Sequence, residues 1–130
     1  MMNLSLGVAV LLPQTFMNDS GDSVGPARGS LGVPLDHVVV IHDPELDRTT
    51  TGEGDVRRLT LAQVRAVSAG YPDRFGSAYA GERVPALSEA LALLRGRARV
   101  LVEIKAESVT NDVEGGIEAR TAEEIRRAGM

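Results

Sequence analysis

The chain has 130 residues, with 43% hydrophobic and 25% charged positions, which sets the scale of one ordinary globular domain. A net charge of -4 and four aromatic residues argue against a polyanion-binding surface or a stacking platform, so no nucleic-acid partner is expected. No cysteine is present, which excludes disulfides and thiolate metal sites.

Near the start, "LSLGVAVLL" is the one apolar run that could be read as a targeting segment. It is far shorter than a membrane span and has no basic stretch before it, so it reads as a first buried strand over residues 6–12. A cytoplasmic protein with no membrane span is the expectation. Pro13 stops that strand, and residues 20–31 form at best a poor helix, because Gly25, Pro26 and Gly29 interrupt it. "HVVVIH", residues 37–42, reads as a second strand, and the polar, glycine-spaced residues 44–59 as a loop. Asp47 and Arg48 are expected to close that loop through local hydrogen bonds, with Thr49, Thr50, Gly52 and Gly54 as loop formers.

Thr60 with Gln63 predicts a capping box that opens a helix burying Leu61, Val64 and Val67 and ending at Gly70. A second loop covers residues 71–85. Leu87, Leu91 and Leu94 mark one stripe of a helix over residues 87–95, and residues 99–105 read as a third strand. The cluster Arg95, Arg97, Arg99 is read as a solvated face. A last helix is expected to begin near Thr121, with Glu124 completing a second capping box.

Strands alternating with helices imply an α/β protein with three parallel strands. Three strands leave two open edges, and self-association through them is one way to cover those edges.

Two motif sets carry resemblances. "VVVIHDPELDRTTTGEGDVRRLT", then "GERVPALSEALALLRGRARVLVEIK", resembles the glycerophosphodiester phosphodiesterase family: a strand ending His-Asp, "LDRTT" with spaced glycines, "P-x-L" opening a helix, and a strand ending "EIK". Upstream, "LLPQTFMNDSG" is similar to the "KPQT(F/Y)MN-x-SG" stretch of bacterial peptidyl-tRNA hydrolase, which also runs into a strand ending "VIHD". The chain enters that strand in the manner of one family and leaves it in the manner of the other. The division implied is a peptidyl-tRNA-hydrolase-like strand and helix over residues 1–37 and a partial glycerophosphodiester phosphodiesterase-like domain over residues 38–130.

The first resemblance implies a portion of a TIM-barrel-type (β/α) fold, a small phosphodiester substrate and a divalent cation, Mg²⁺ or Ca²⁺. It implies hydrolysis of a glycerophosphodiester to glycerol 3-phosphate and an alcohol, with His42 and Lys105 as catalytic residues. Glu103 is then a metal ligand, and Asp43 and Arg48 contact substrate. An imidazole, with an ordinary pKa near ~6.5, suits proton transfer around neutrality. Strand alternation puts Glu103 and Lys105 on one face, and in a parallel barrel they would converge with His42.

The family's "HRG" strand and its "E-x-D" ligand pair are not found in residues 1–37. One carboxylate holds such a cation weakly, and an incomplete site is expected to turn over little. The second resemblance implies roles for Met17, Asn18 and Asp43 in a peptidyl-tRNA hydrolase, whose "T-R-H-N" histidine this sequence lacks. A third reading is a non-catalytic chain that assembles with a partner.

Overall fold

The computed structural model describes residues 38–130 together with the backbone of one earlier strand, Val8–Leu11. That strand, β1, lies between β2 (Val39–Val40) and β3 (Val102–Ile104) in a sheet of order β2-β1-β3. Val10 stands opposite Val40 on one side and Ile104 on the other. β1 is parallel to β3 but antiparallel to β2, so the expected all-parallel arrangement is replaced by a mixed sheet. Parallel neighbours need a crossover connection, whereas an antiparallel pairing satisfies the same backbone groups without one.

The other edge of β2 is also covered. Val40 donates its N–H to the Pro85 carbonyl at 2.9 Å, and Leu87 donates to the Val38 carbonyl at 2.7 Å. The segment entering the next helix therefore serves as a fourth rung beside β2, and the open edge expected there is occupied.

Side-chain alternation along residues 38–41 feeds two cores. Val39 and Ile41 pack with Leu46, Val56, Val64 and Val84 on one side. Val38, with Val40 beside it, packs against Leu87, Leu91 and Ile117, and the partly buried Val102, Ile104 and Ile125 join it. Opposite faces from successive residues follow from the strand's two-residue period.

Four α-helices, α1 (Leu61–Ala66), α2 (Pro72–Phe75), α3 (Leu87–Leu94) and α4 (Ile117–Ala128), and two short 3₁₀ helices, Val56–Arg58 and Ala106–Ser108, complete the described fold. α1 starts on the expected capping box, with Gln63 N–H donating to Thr60 Oγ1 at 3.2 Å and Thr60 N–H donating to Gln63 Oε1 at 2.8 Å. It stops at Ala66, short of Gly70. α3 begins where Glu89 accepts the Ala86 N–H at 2.8 Å, and the same carboxylate takes Arg65 Nη2 at 2.8 Å. Hydrogen bonding to Arg65 first, and to the Ala86 backbone second, holds the Glu89 carboxyl below its ordinary value.

α4 departs from expectation. It begins at Ile117 behind Gly116, so Thr121 and Glu124 lie inside it and are buried. The helix starts earlier because Ile117, fully buried against Leu87 and Leu91, needs its first turn for packing. Arg95, Arg97 and Arg99 are exposed, as a solvated face requires. The poor helix read over residues 20–31 lies outside the described residues. No described helix is long and apolar enough to cross a membrane.

Candidate functional site

Immediately after β2 the chain leaves the core at His42 and Asp43, and residues 44–54 fold into a loop closed by backbone and side-chain bonds. Leu46 donates its N–H to the Gly54 carbonyl at 3.0 Å, while its own carbonyl accepts the Thr50 N–H at 3.1 Å and the Thr50 hydroxyl at 2.7 Å. Thr50 Oγ1 in turn accepts the Gly52 N–H at 2.9 Å, and Asp47 Oδ2 accepts the Gly54 N–H at 2.9 Å. Leu46 is 1% exposed and anchors this loop in the first core. The loop closure expected of Asp47 is thus what its carboxylate does.

Arg48 reaches back from that loop and clamps Asp43 with both arms of its guanidinium. Nε donates to Oδ2 at 2.6 Å and Nη2 to Oδ1 at 2.9 Å, the forked geometry that matches a carboxylate. His42 Nδ1 lies 2.7 Å from the same Asp43 Oδ1. Hydrogen bonds from Arg48 foremost, and from His42 next, hold the Asp43 carboxyl well below the usual carboxylate range against the opposing effect of desolvation. The carboxylate is therefore ionised and can only accept, so Nδ1 carries the proton and Nε2 is left as the imidazole's basic nitrogen. Reciprocally, Asp43 raises the Arg48 guanidinium above its ordinary value.

A fourth member was not singled out from the sequence. Tyr71 accepts a hydrogen bond from Arg48 Nη1 at 3.2 Å, and its ring centroid lies 5.4 Å from Arg48 Cζ. Its signal in the sequence was weak: a Gly-Tyr-Pro triplet that marks a turn without saying where the ring goes.

Beside His42 opens a cleft of about 370 Å³, lined also by Val40, Thr49, Glu82, Arg83 and Pro85. It has the size of a small-molecule site, and polar and apolar residues share its lining. A larger groove of about 450 Å³ lies between the ends of α3 and α4, with Leu91, Ala98, Val102 and Ile125 among its walls; it contains none of the candidate residues.

Glu103 on β3 and Lys105, one residue past its end, form their own pair, with Lys105 Nζ donating to Glu103 Oε1 at 3.1 Å, as residues two apart in extended backbone can. β2 and β3 run in opposite directions across β1, so the chain leaves Val40 and Ile104, which both stand opposite Val10, in opposite directions. The candidate residues are bonded in two separate groups: His42, Asp43, Arg48 and Tyr71 in one, and Glu103 with Lys105 in the other. Met17 and Asn18 lie outside the described residues.

Among the described residues no three His, Asp or Glu side chains gather to hold a metal ion. A lone carboxylate already engaged by an ammonium group does not fit a hard cation that wants six or more oxygens.

The model of the glycerophosphoryl diester phosphodiesterase family matches residues 36–129. The chain belongs to that family. A glycerophosphodiester phosphodiesterase from Caldanaerobacter subterraneus subsp. tengcongensis is 42% identical over 87 residues, 62% of this chain and 35% of that relative. The crystal structure of a glycerophosphodiester phosphodiesterase from Agrobacterium tumefaciens superposes with a TM-score of 0.60 at 35% identity, covering 72% of this chain and 36% of that one. A peptidyl-tRNA hydrolase model matches residues 3–58, and the peptidyl-tRNA hydrolase of Methylorubrum populi is 60% identical over 66 residues, 45% of this chain and 31% of that relative. The two family matches overlap over residues 36–58, around the His-Asp strand end. The chain spans about a third of the length of these relatives.

Proposed function

We propose that this glycerophosphoryl diester phosphodiesterase family member carries the acid/base corner of a phosphoric diester hydrolase, acting on a glycerophosphodiester and water to give glycerol 3-phosphate and an alcohol. The observation that carries this reading is His42 at the mouth of a cleft, its Nδ1 tied to an ionised Asp43. Nε2 then takes a proton from the attacking oxygen or returns one to the leaving alkoxide, each a proton transfer suited to imidazole.

Arg48 has donors beyond those spent on Asp43 and Tyr71, which allows a contact with a phosphate oxygen. Lys105 as counter-charge to phosphate joins the proposal through the family match, whose span includes it, and Glu103 would serve a cation only as one ligand among several that the described residues do not gather. Because Lys105 and Glu103 bond to each other and not to the His42 group, slow turnover by the 130-residue chain is the expectation. Residues 1–37 as a peptidyl-tRNA-hydrolase-like unit and residues 38–130 as the phosphodiesterase-like domain is the division proposed with it.

The test is release of glycerol 3-phosphate from glycerophosphocholine by the 130-residue chain, with Mg²⁺ or Ca²⁺ supplied. The expected result is slow release that His42→Ala removes. Release unchanged in His42→Ala refutes the assignment. Cleavage of peptidyl-tRNA that Asn18→Ala abolishes would transfer it to the second family.

A further inference from the structure

We propose that Tyr71 is a positioning residue for the His42 imidazole, acting through Arg48 and Asp43; the inference rests on the reading of His42 as the acid/base. Among the described residues Tyr71 is the one non-glycine with a positive φ, at φ 49° and ψ 67°. A tyrosine held there sits in a left-handed conformation that side chains disfavour, and such conformations persist only where the surroundings impose them.

The surroundings are identifiable. Pro72 disfavours the right-handed helical conformation at the residue before it. The Tyr71 N–H donates to the Thr49 carbonyl at 3.0 Å, tying the residue to the loop that carries Arg48. On its other side Gly70 packs so closely that a Cβ there would stand 2.2 Å from the Tyr79 carbonyl oxygen. Phe75 meets the Tyr71 ring edge-on, with centroids 6.1 Å apart and planes at 88°.

The strained backbone delivers the phenol to one place. Its oxygen accepts from Arg48 Nη1 and its ring faces the guanidinium, while the opposite edge of that guanidinium grips Asp43. The Arg48 side chain is 51% exposed, so without a third point of attachment it has rotamers to explore. An anionic phosphodiester in the neighbouring cleft would also compete with Asp43 for it. Fixing Nη1 to a phenol keeps the fork on the carboxylate, and so keeps the carboxylate aligned with His42 Nδ1.

The experiment uses the 130-residue chain, labelled with ¹⁵N at arginine and histidine, as wild type, Tyr71→Phe and Tyr71→Gly. The signals read are hydrogen exchange at Arg48 Nε and the ring-nitrogen shifts of His42. Tyr71→Phe keeps the ring and loses the hydroxyl. It is expected to speed Arg48 Nε–H exchange about fivefold, the factor that corresponds to one net hydrogen bond. Tyr71→Gly accepts the positive φ without strain, so its melting temperature is retained while exchange quickens further and the His42 Nδ1–H preference weakens. Equal Arg48 exchange in wild type and Tyr71→Phe overturns the proposal, and that comparison stands even if Tyr71→Gly fails to fold. Failure of the acid/base reading shows separately, as glycerol 3-phosphate release that survives His42→Ala while the Arg48 response to Tyr71→Phe persists.

Discussion

Replacing Leu46 by alanine tests whether the loop bearing Arg48 is held from below. Leu46 is 1% exposed and is packed with Val39, Ile41, Val56, Val64 and Val84. The substitution removes three carbons from that cluster. At about 0.8 kcal/mol per buried methylene the transfer loss alone is roughly 2.4 kcal/mol. Most of the neighbours are β-branched and stiff at χ1, so they collapse poorly into the space, and a cavity contribution brings the total to about 3 kcal/mol. Urea unfolding of the 130-residue chain at neutral pH, followed by circular dichroism, measures it as a fall in the extrapolated unfolding free energy at unchanged slope. The Leu46 N–H and carbonyl organise the loop through Gly54 and Thr50, so the same variant is expected to loosen the Arg48–Asp43 clamp. A loss below about 1 kcal/mol would mean that the loop is not seated on this side chain, and the account of how Arg48 is aimed would fall with it.

Gly70→Ala places a methyl group against the Tyr79 backbone carbonyl and is expected to cost at least about 2 kcal/mol in a thermal melt, because a main chain cannot step aside as a side chain would. Thr60→Ala removes the acceptor for the Gln63 N–H and is expected to cost about 1 kcal/mol, read as a lowered denaturation midpoint. Asp43 is depressed in the folded state, so its contribution to stability is complete above the ordinary aspartate range of about 4 and is lost as pH falls through the lower folded value. Unfolding free energy measured from pH 6 to pH 3 is therefore expected to fall more steeply for wild type than for Arg48→Gln, and parallel curves would contradict the clamp.

What the sequence made legible is local. Thr60 and Gln63 cap their helix as three-residue spacing requires, Asp47 closes its loop, and Glu103 and Lys105 share a face as alternation demands. The same local logic failed at Thr121 and Glu124, where a capping pattern sits inside α4 because burial of Ile117 sets the helix start. Strand direction was harder still: the apolar pattern of residues 8–11 says that the strand is buried, but nothing in a two-residue period says which way its neighbour runs. Tyr71 is not legible in the sequence because a left-handed tyrosine is set by its bond to Thr49, by Pro72 and by the close packing of Gly70 on the Tyr79 backbone, more than by its own preference.

The His42–Asp43–Arg48 cluster spans seven consecutive residues, and its one distant member, Tyr71, is sewn to the same loop through Thr49. Such a unit carries its own alignment. None of these bonds runs to β1, so the imidazole's anchor does not draw on the strand alongside β2. The hydrogen bonds that hold the imidazole therefore depend on the loop and not on the strand beside β2.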